Sequence, residues 1–261
     1  MEAALKTINN QIYTNIEVIV VEDGSCTLEP LIAQYTQYPI TYFYFKNRVG
    51  RCKNGNKGIE LAKGKYATFL DEDDLLYADH VEQLVAGAEK NASSVVYSFG
   101  FELPSKADQE GGILKEGPLK ARYVNEFSFL KLIKENLFPI NTILFKRELF
   151  EEIGGFDPKI DYLEDWDLWL RMAIIAKPYT CIPRTTCLYR VPFEKDTYDS
   201  RHEILNKYQK IVRAKHDKLR VSFSVKELFA DAHKEALPTT LEHILIDKFP
   251  RYARTIKLFV G

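Results

Sequence analysis

The pattern of apolar and polar positions alternates between short β-branched runs and longer stretches with helical spacing. Apolar runs at 16–21, 40–45, 66–70 and 94–99 have the length and composition of buried strands. Between them apolar residues recur three and four positions apart, most clearly from about 78 to 90. Strands that alternate with helices predict an α/β fold, a mostly parallel sheet flanked by helices.

The second half of the chain has a less regular pattern. From about 104 to 118 the composition shifts to Gly, Lys, Asp, Glu and Pro, which predicts a loop or flexible connection. Mostly helical patterns at 201–216 and 225–249 predict a helical C-terminal extension. Between these regions the pattern predicts a helix at 125–136, a strand at 140–145, a short helix that ends at Gly154-Gly155 and a Trp-rich helix at 164–173.

The composition is that of an ordinary globular protein, with 46% apolar and 28% charged residues. A net charge of −1 gives no basic excess that would indicate nucleic acid as a partner. The four cysteines lack CxxC spacing and are expected to be reduced thiols of a cytosolic protein. No apolar run approaches the ~20 residues of a membrane-spanning helix.

Acidic residues directly follow two of the predicted strands. The run at 16–21 ends in Glu22-Asp23-Gly24-Ser25, and the run at 66–70 ends in Asp71-Glu72-Asp73-Asp74. Open α/β sheets bind ligands at the carboxyl ends of their strands, and Mg²⁺ or Mn²⁺ is commonly shared between carboxylates and phosphates. The pattern indicates a metal site for a phosphorylated substrate, but a solvated acidic turn that caps the next helix explains residues 71–74 equally well.

A series of short motifs runs along residues 2–192. They are Asn10-Gln11-x-Tyr13-x-Asn15-x-Glu17, Val20-Val21-Glu22-Asp23-Gly24-Ser25, Asn47-x-x-Gly50, Asn56-Lys57-Gly58-Ile59, Ala62-Lys63-Gly64-Lys65-Tyr66, Leu70-Asp71-Glu72-Asp73-Asp74, Gly154-Gly155-Phe156-Asp157, Glu164-Asp165-Trp166-Asp167-Leu168-Trp169-Leu170-Arg171 and Tyr189-Arg190. Each motif is weak alone, but their order and spacing are jointly specific. Taken together, they resemble the motifs of the family 2 glycosyltransferases, which have the nucleotide-sugar-binding GT-A fold.

The resemblance implies roles for the acids at the strand ends. Asp73 would be the direct ligand of Mn²⁺ or Mg²⁺, with Asp71 nearer the ribose or the metal shell. The cation would neutralise charge on the nucleoside diphosphate as the glycosidic bond breaks. Asp23 would hydrogen-bond the nucleotide base, with an Asx-turn before Gly24 as the alternative. Asp74 is explained by a cap of the next helix.

The resemblance also implies a catalytic carboxylate at the start of the Trp-rich helix. Asp165 would be the base that takes the proton of the acceptor hydroxyl as it attacks C1, and Glu164 would orient the acceptor. The alternative is that both acids only favour the helix N-terminus through its dipole. Arg48 and Arg51 are candidate cations for the diphosphate or solvated surface charges, and Arg48 matches the family position better.

Three further features of the motifs have structural explanations. Asp167 and Arg171 are expected to pair at i,i+4. Arg190 is open between a contact with the diphosphate and a structural ion pair. The two tryptophans of the 164–173 helix are expected in the core rather than as a platform for a sugar.

The start of the chain departs from the family pattern. Family members begin with a central apolar strand that ends in a Pro-Thr/Ser-Tyr/Phe-Asn-type turn, whereas here Met1 falls inside the helix that follows that strand. Loss of a central strand would expose the ladder groups of its neighbours. We therefore expect an amino-truncated or mis-started version of a longer protein, and the alternative is an intact gene in which another segment takes the place of that strand.

The function predicted from these features is an inverting, metal-dependent glycosyltransferase of hexosyltransferase type. It would move a sugar from a nucleotide-diphosphate sugar, with UDP expected, to a glycan or lipid-linked acceptor hydroxyl in polysaccharide biosynthesis. One alternative is a non-catalytic GT-A remnant that acts as a binding module. Another is a nucleotidyltransferase, against which the Glu164-Asp165 helix argues.

The resemblance divides the chain into three parts and suggests a location. Residues 1–103 would form the nucleotide-sugar-binding half, 104–195 the acceptor-binding half and 196–261 the helical extension. The location expected is cytoplasmic. The tail at 248–260 mixes cations with apolar residues, so it could rest on the inner face of a membrane or pack on its own domain.

Overall fold

The computed structural model describes residues 1–24, 27–108, 112–123, 126–176, 179–220 and 222. Helices and strands alternate through most of this length, so the predicted α/β class is confirmed. In chain order the elements are α1 (Glu2–Asn9), β1 (Val18–Asp23), α2 (Glu29–Ile32), β2 (Ile40–Phe45), α3 (Arg51–Leu61), β3 (Tyr66–Ala67), β4 (Leu75–Leu76), α4 (His80–Lys90), β5 (Val95–Ala107), β6 (Ile113–Glu116), β7 (Lys120–Tyr123), α5 (Phe129–Leu132), a 3-10 turn (Ile140–Thr142), β8 (Ile143–Lys146), α6 (Arg147–Glu152), α7 (Glu164–Ile175), β9 (Thr180–Pro192) and α8 (Lys195–Lys215).

The strands of the described residues form two sheets. β1 and β2 pair in parallel, from Val18 opposite Ile40 to Asp23 opposite Phe45. The larger sheet has the order β3-β8-β5-β9-β4, and β6 and β7 also pair with β5. Within it β5 and β9 are parallel, but the other described pairings are antiparallel. The larger sheet is therefore mixed rather than mostly parallel, because short connections such as that between β5 and β6 return the chain in the opposite direction.

The predicted strand at 66–70 is shorter than expected. Only Tyr66 and Ala67 pair, in an antiparallel ladder with β8. Thr68, Phe69 and Leu70 continue without ladder partners and are half-buried. β1 and β3 nevertheless start close together, because Glu17 Oε1 accepts hydrogen bonds from the N–H groups of Lys63 and Gly64, both at 2.6 Å.

The predicted loop at 104–118 is wrong over much of its length. β5 continues to Ala107, and β6 follows at Ile113–Glu116. Pairing with β9 extends as far as Ser105 opposite Pro192, so cross-strand pairing overrides the polar composition of this segment. β9 itself was not predicted, and the boundary placed at 103/104 between the two halves falls within β5.

The main core lies between α7 and the larger sheet. Trp166 and Trp169 of α7 are 0% exposed, which confirms the prediction that they are core residues. Each indole N–H also has an acceptor: Trp166 Nε1 donates to Leu132 O at 2.6 Å and Trp169 Nε1 to Phe138 O at 3.2 Å. The start of α7 is thereby fixed to the segment between α5 and β8.

α8 confirms the first part of the predicted helical extension and is anchored to α7. Asp167 Oδ1 lies 2.8 Å from both Lys215 Nζ and His216 Nε2 at the end of α8. The predicted pair between Asp167 and Arg171 is also present, with Nη2 at 2.8 Å from Oδ2. The helix predicted at 225–249 and the cationic tail lie outside the described residues. No helix in the described ranges is long and apolar enough to cross a membrane.

Candidate active site

The acidic turn at 71–74, between β3 and β4, places neighbouring carboxylates in different environments. Asp71 is half-buried, Glu72 and Asp73 are exposed, and Asp74 is 0% exposed. A carboxylate that binds a ligand must be accessible, whereas a buried one must be satisfied by protein donors. Accessibility therefore separates Asp73 from Asp74.

Asp74 connects the turn to the rest of the fold. Its Oδ2 accepts from Asn141 Nδ2 at 3.0 Å, and its Oδ1 accepts from the Arg190 N–H at 2.8 Å. Burial, followed by the charges of Asp71 and Asp73, raises the pKa of Asp74 well above its usual value. Asp74 does not cap the next helix, because α4 begins only at His80. The expected capping role is therefore wrong.

Asp71 lies among both like and opposite charges. Burial raises its pKa, and the carboxylates of Asp73 and Glu72 raise it further, whereas Arg51 lowers it. A bound cation would relieve the repulsion between like charges that are held close together. In the described part of the chain no three His, Cys, Asp or Glu side chains are grouped to hold a metal ion. The Asp71–Asp73 pair instead fits the one or two carboxylates of a cation that is shared with phosphate oxygens.

Asp23, at the end of β1, holds the loop before α3. Its Oδ1 accepts from the Val49 N–H at 2.7 Å and its Oδ2 from the Gly50 N–H at 3.0 Å. Gly24 has a φ of 87°, and a Cβ there would come within 2.6 Å of Arg48 Cγ, so glycine permits this close approach. The Arg48 side chain is exposed beside this contact.

Glu164 opens α7 and is 6% exposed. Its Oε1 accepts a hydrogen bond from Arg51 Nη1 at 3.0 Å, which joins the starts of α7 and α3. Burial, together with the neighbouring Asp165, raises the pKa of Glu164 to about 7 in spite of Arg51. Of the two arginines considered from the sequence, Arg51 is the one that contacts a predicted site acid.

Asp165 is partly buried and held at both oxygens. Oδ2 accepts from Asn136 Nδ2 and Oδ1 from the Trp166 N–H, each at 2.8 Å. Burial raises the pKa of Asp165 to about 6, although these two donors and Arg51 act in the opposite direction. The charge of Asp71 also raises it. The fold therefore brings the acidic turn after β3 into the electrostatic field of the start of α7.

Arg201 of α8 interacts with charged residues of the candidate site, and the sequence did not indicate it. Its Nη2 donates to the Tyr189 hydroxyl, and its guanidinium lies 5.3 Å from the centroid of the Tyr189 ring. Arg201 also interacts electrostatically with the carboxylates of Asp71, Asp73 and Asp74. It lies beyond the last motif, so no spacing signal could have identified it.

Arg190 forms the structural ion pair that the sequence left open. Its Nη2 lies 2.8 Å from Glu116 Oε1, and its Nη1 donates to Ser105 Oγ at 2.6 Å. With 8% exposure it joins β9 to β5 and β6.

Comparisons with known protein families and sequences identify relatives of this chain. The model of the family described as "Glycosyl transferase family 2" matches residues 1–154. An uncharacterized glycosyltransferase of Rickettsia typhi is 32% identical over 182 residues, which cover 69% of this chain and 56% of that protein. One of Methanocaldococcus jannaschii is 26% identical over 209 residues, covering 77% and 69%. The chain spans little more than half of the Rickettsia typhi protein's length.

Solved structures of other proteins share the fold. TarS of S. aureus aligns with a TM-score of 0.59 at 15% identity, covering 98% of this chain and 50% of TarS. Its 1–349 form in complex with UDP aligns at 0.57 and 16% identity, covering 97% and 82%. The mannosyltransferase PcManGT of Pyrobaculum calidifontis, in complex with GDP-Man and Mn²⁺, aligns at 0.55 and 16% identity, covering 99% and 82%.

These structural likenesses confirm the GT-A type of α/β fold, and the family match covers more than half of the chain. The predicted resemblance is thereby confirmed. The chain belongs to glycosyl transferase family 2.

Proposed function

We propose that the protein is an inverting glycosyltransferase that moves a hexosyl unit from a nucleotide-diphosphate sugar to an acceptor hydroxyl. The observation that carries the proposal is the ion pair between Arg51 and Glu164, with Nη1 3.0 Å from Oε1, because the same guanidinium also interacts with Asp165 and with Asp71 of the acidic turn. A transferase of this kind needs a base for the acceptor and a site for the donor diphosphate within one cleft. Family membership supports the same reaction class.

Asp165 would act as the general base. Its carboxylate would take the proton of the acceptor hydroxyl while the hydroxyl oxygen attacks C1 and the bond from C1 to the diphosphate breaks. Burial raises the pKa of Asp165 toward the working pH, which makes its carboxylate a better proton acceptor than an exposed aspartate. Glu164 is itself buried, so it would orient the acceptor through its partner Arg51, whose side chain is 56% exposed.

Asp73 would hold the divalent cation, with Asp71 beside it. Mn²⁺ or Mg²⁺ would stabilise the negative charge of the leaving nucleoside diphosphate. The exposure of Asp73 and the mutual repulsion of Asp71, Glu72 and Asp73 fit this role. The Mn²⁺ complex of PcManGT supports a divalent metal by analogy.

Asp23 and Arg48 would contact the donor from the other strand end. Asp23 already accepts two backbone N–H bonds, but a carboxylate has about four lone-pair positions, so it can still accept a base N–H. The exposed Arg48 could meet a phosphate. TarS has been solved with UDP and with UDP-GlcNAc, which supports a UDP-linked donor.

The acceptor and the location are proposed from the family resemblance. The acceptor would be a glycan or lipid-linked hydroxyl in polysaccharide biosynthesis, reached from the cytoplasmic side. Peripheral membrane contact through Lys248, Arg251, Arg254 and Lys257 remains a proposal about the tail. Neutralising these four cations should abolish binding to anionic liposomes, and unchanged binding would contradict the membrane contact.

The first test is calorimetric titration of the protein with UDP, GDP and dTDP, with and without Mn²⁺. We expect one nucleotide to bind, and to bind more tightly with Mn²⁺. Release of that nucleoside diphosphate from its sugar conjugates would then establish turnover. Binding without turnover of any conjugate would favour the binding-module alternative, and no binding of any nucleotide would contradict both.

A further inference from the structure

Asn136, between α5 and the 3-10 turn, contacts the proposed base directly. Its Nδ2 donates to Asp165 Oδ2 at 2.8 Å. The orientation of the amide is fixed from the other side, because the Phe138 N–H donates to Asn136 Oδ1 at 3.3 Å. An amide has its acceptor and its donor on opposite atoms, so the backbone contact places the NH₂ group toward Asp165.

The segment that carries Asn136 is attached at both ends to the helix that carries Asp165. Trp166 Nε1 donates to Leu132 O, and Trp169 Nε1 donates to Phe138 O. Both indoles are 0% exposed, so these bonds are shielded from water. The two acceptors flank Asn136 in the sequence, and the segment and α7 therefore form one rigid unit.

The segment is also held from its other side by α8. Gln209 Nε2 donates to Lys134 O at 3.0 Å, and Arg213 Nη2 donates to the same oxygen. α8 is itself anchored to Asp167 on α7. The segment that carries Asn136, α7 and α8 are therefore each in contact with the other two. Such support fixes the position of a side chain more closely than a loop alone would.

We propose that Asn136 is a positioning residue for Asp165, which it acts on through the hydrogen bond to Oδ2. It fixes the rotation of the carboxylate, so that the free lone pairs have one direction toward the acceptor. It also stabilises the ionised form of Asp165, because the amide donates a hydrogen bond to the carboxylate oxygen and does not itself titrate. This inference rests on the proposed role of Asp165 as the base.

The electrostatic surroundings of Asp165 make such a donor important. Burial favours the protonated acid, and the Asn136 hydrogen bond is the strongest of the contributions that lower the pKa of Asp165. Other titratable or charged groups interact with Asp165 from each surrounding element: Arg51 of α3, Asp71 after β3, Tyr123 of β7, Glu164 of α7 and Tyr189 of β9. Without Asn136, the Trp166 N–H and then Arg51 would be the groups that oppose burial and the neighbouring acids.

The test measures the pH dependence of kcat for donor turnover in Asn136→Ala and Asn136→Asp. Turnover can be followed as release of nucleoside diphosphate from the conjugate that the wild-type protein cleaves. The Asp variant keeps the shape and the acceptor for Phe138 but replaces the donor with a like charge. We expect kcat at pH 7 to fall about 10-fold in the Ala variant and further in the Asp variant, as expected when a general base is impaired.

The acidic limb of the pH profile gives the readout that a purely structural role would not change. It should move to higher pH in Asn136→Ala and farther in Asn136→Asp, while the KM for the donor changes little. Asn91→Ala is the matched control, since Asn91 Nδ2 also donates a local bond, to Gly87 O at the end of α4, and it should keep the wild-type profile. Nucleotide binding by calorimetry checks that each variant is folded.

Asp165→Asn, alone and combined with Asn136→Ala, separates the possible failures. If Asn136 acts through Asp165, adding Asn136→Ala to Asp165→Asn should cause no further loss of turnover. Full turnover in Asp165→Asn would overturn the proposed base and this inference with it. Loss of turnover in Asp165→Asn, with wild-type kcat and pH profile in both Asn136 variants, would overturn this inference alone.

Discussion

The acidic turn at 71–74 and the acidic start of α7 at 164–167 each contain one fully buried aspartate, and the two behave in opposite ways. Asp74 and Asp167 are both 0% exposed. Burial raises the pKa of Asp74 well above its usual value, whereas the pKa of Asp167 is lowered to about 2 although burial opposes this. Equal burial of two aspartates can therefore be accompanied by opposite shifts of their pKa.

The difference lies in the partners of the two carboxylates. Asp74 accepts from the neutral amide of Asn141 and from the backbone N–H of Arg190, and it has acidic neighbours. Asp167 accepts from side chains of basic residues on two helices, Arg171, Lys215 and His216. Opposite charge at contact distance overcomes desolvation, whereas neutral donors do not. The acids proposed to hold the cation and to act as the base, Asp73 and Asp165, are exposed and partly buried, respectively.

The largest expected effect comes from the acid of the α7 run that is proposed to react. Asp165→Asn keeps the side-chain shape but removes the basic oxygen, so kcat should fall about 100- to 10,000-fold. Binding of the nucleotide with Mn²⁺ should stay near the wild-type value, because Asp165 faces the acceptor in the proposed reaction. Turnover assays paired with calorimetry on one preparation measure both. Undiminished kcat would rule out Asp165 as the base.

Substitution of Asp73 in the acidic turn should mainly weaken nucleotide binding. Asp73→Ala removes the proposed metal ligand, so nucleotide affinity in the presence of Mn²⁺ should fall by roughly 10- to 100-fold, the size of effect seen when metal-site support is lost. Affinity without Mn²⁺ should change little. Glu72→Ala is the control, because Glu72 is exposed in the same turn and should bind as the wild type does. Equal losses in both variants would contradict a specific role for Asp73.

The two buried aspartates should also differ in stability. Asp167→Asn removes the charge that Arg171, Lys215 and His216 share, and should lower the free energy of unfolding by about 2 to 3 kcal/mol. Asp74→Asn should cost less, about 1 kcal/mol, because it removes an unfavourable buried charge, although its NH₂ group would face one of the two donors, Asn141 Nδ2 or the Arg190 N–H. Urea denaturation at pH 7 gives both values. A larger loss in Asp74→Asn would reverse the comparison.

The pH dependence of the Asp167 contribution gives the last test of the comparison. Its pKa is lower in the folded than in the unfolded state, about 2 against 3.8, so the unfolded chain binds the proton first as the pH falls. The stabilisation is complete above pH 4 and is lost between about pH 4 and pH 2. The difference in unfolding free energy between wild type and Asp167→Asn should shrink by about 2 kcal/mol over this range. A difference that stays constant with pH would contradict the assignment.

Elements with strong local patterns were predictable from the sequence. The β-branched run of β1 and the apolar spacing of α4 and α7 have local causes, so their positions were predicted within a few residues. β9 was not predicted, because Pro183, Arg184 and two threonines interrupt its apolar pattern. This strand exists because β5 supplies a long parallel partner, and such a partner is not visible in a local window.

Some residues of the candidate site could be predicted from the sequence, and others could not. Asp73 and Asp165 stand in motifs with fixed spacing, so the sequence could single them out. Asn136 becomes relevant only through its contact with α7, and the contact of Arg51 with Glu164 is likewise created only by the folded chain. A hydrogen bond between residues far apart in the chain has no spacing rule, and single-sequence reasoning cannot supply one.

The attachment of α8 has a consequence for exchanging parts between relatives. Gln209, Arg213 and Lys215 join α8 to Lys134 and Asp167, on both sides of the proposed base. A chimera that keeps residues 1–194 and takes its last helix from a homologue would inherit the acids but not their support. An exchange designed on the family-matched region alone, residues 1–154, would therefore separate Lys134 from its partners on α7 and α8. The exchange point should lie after α8.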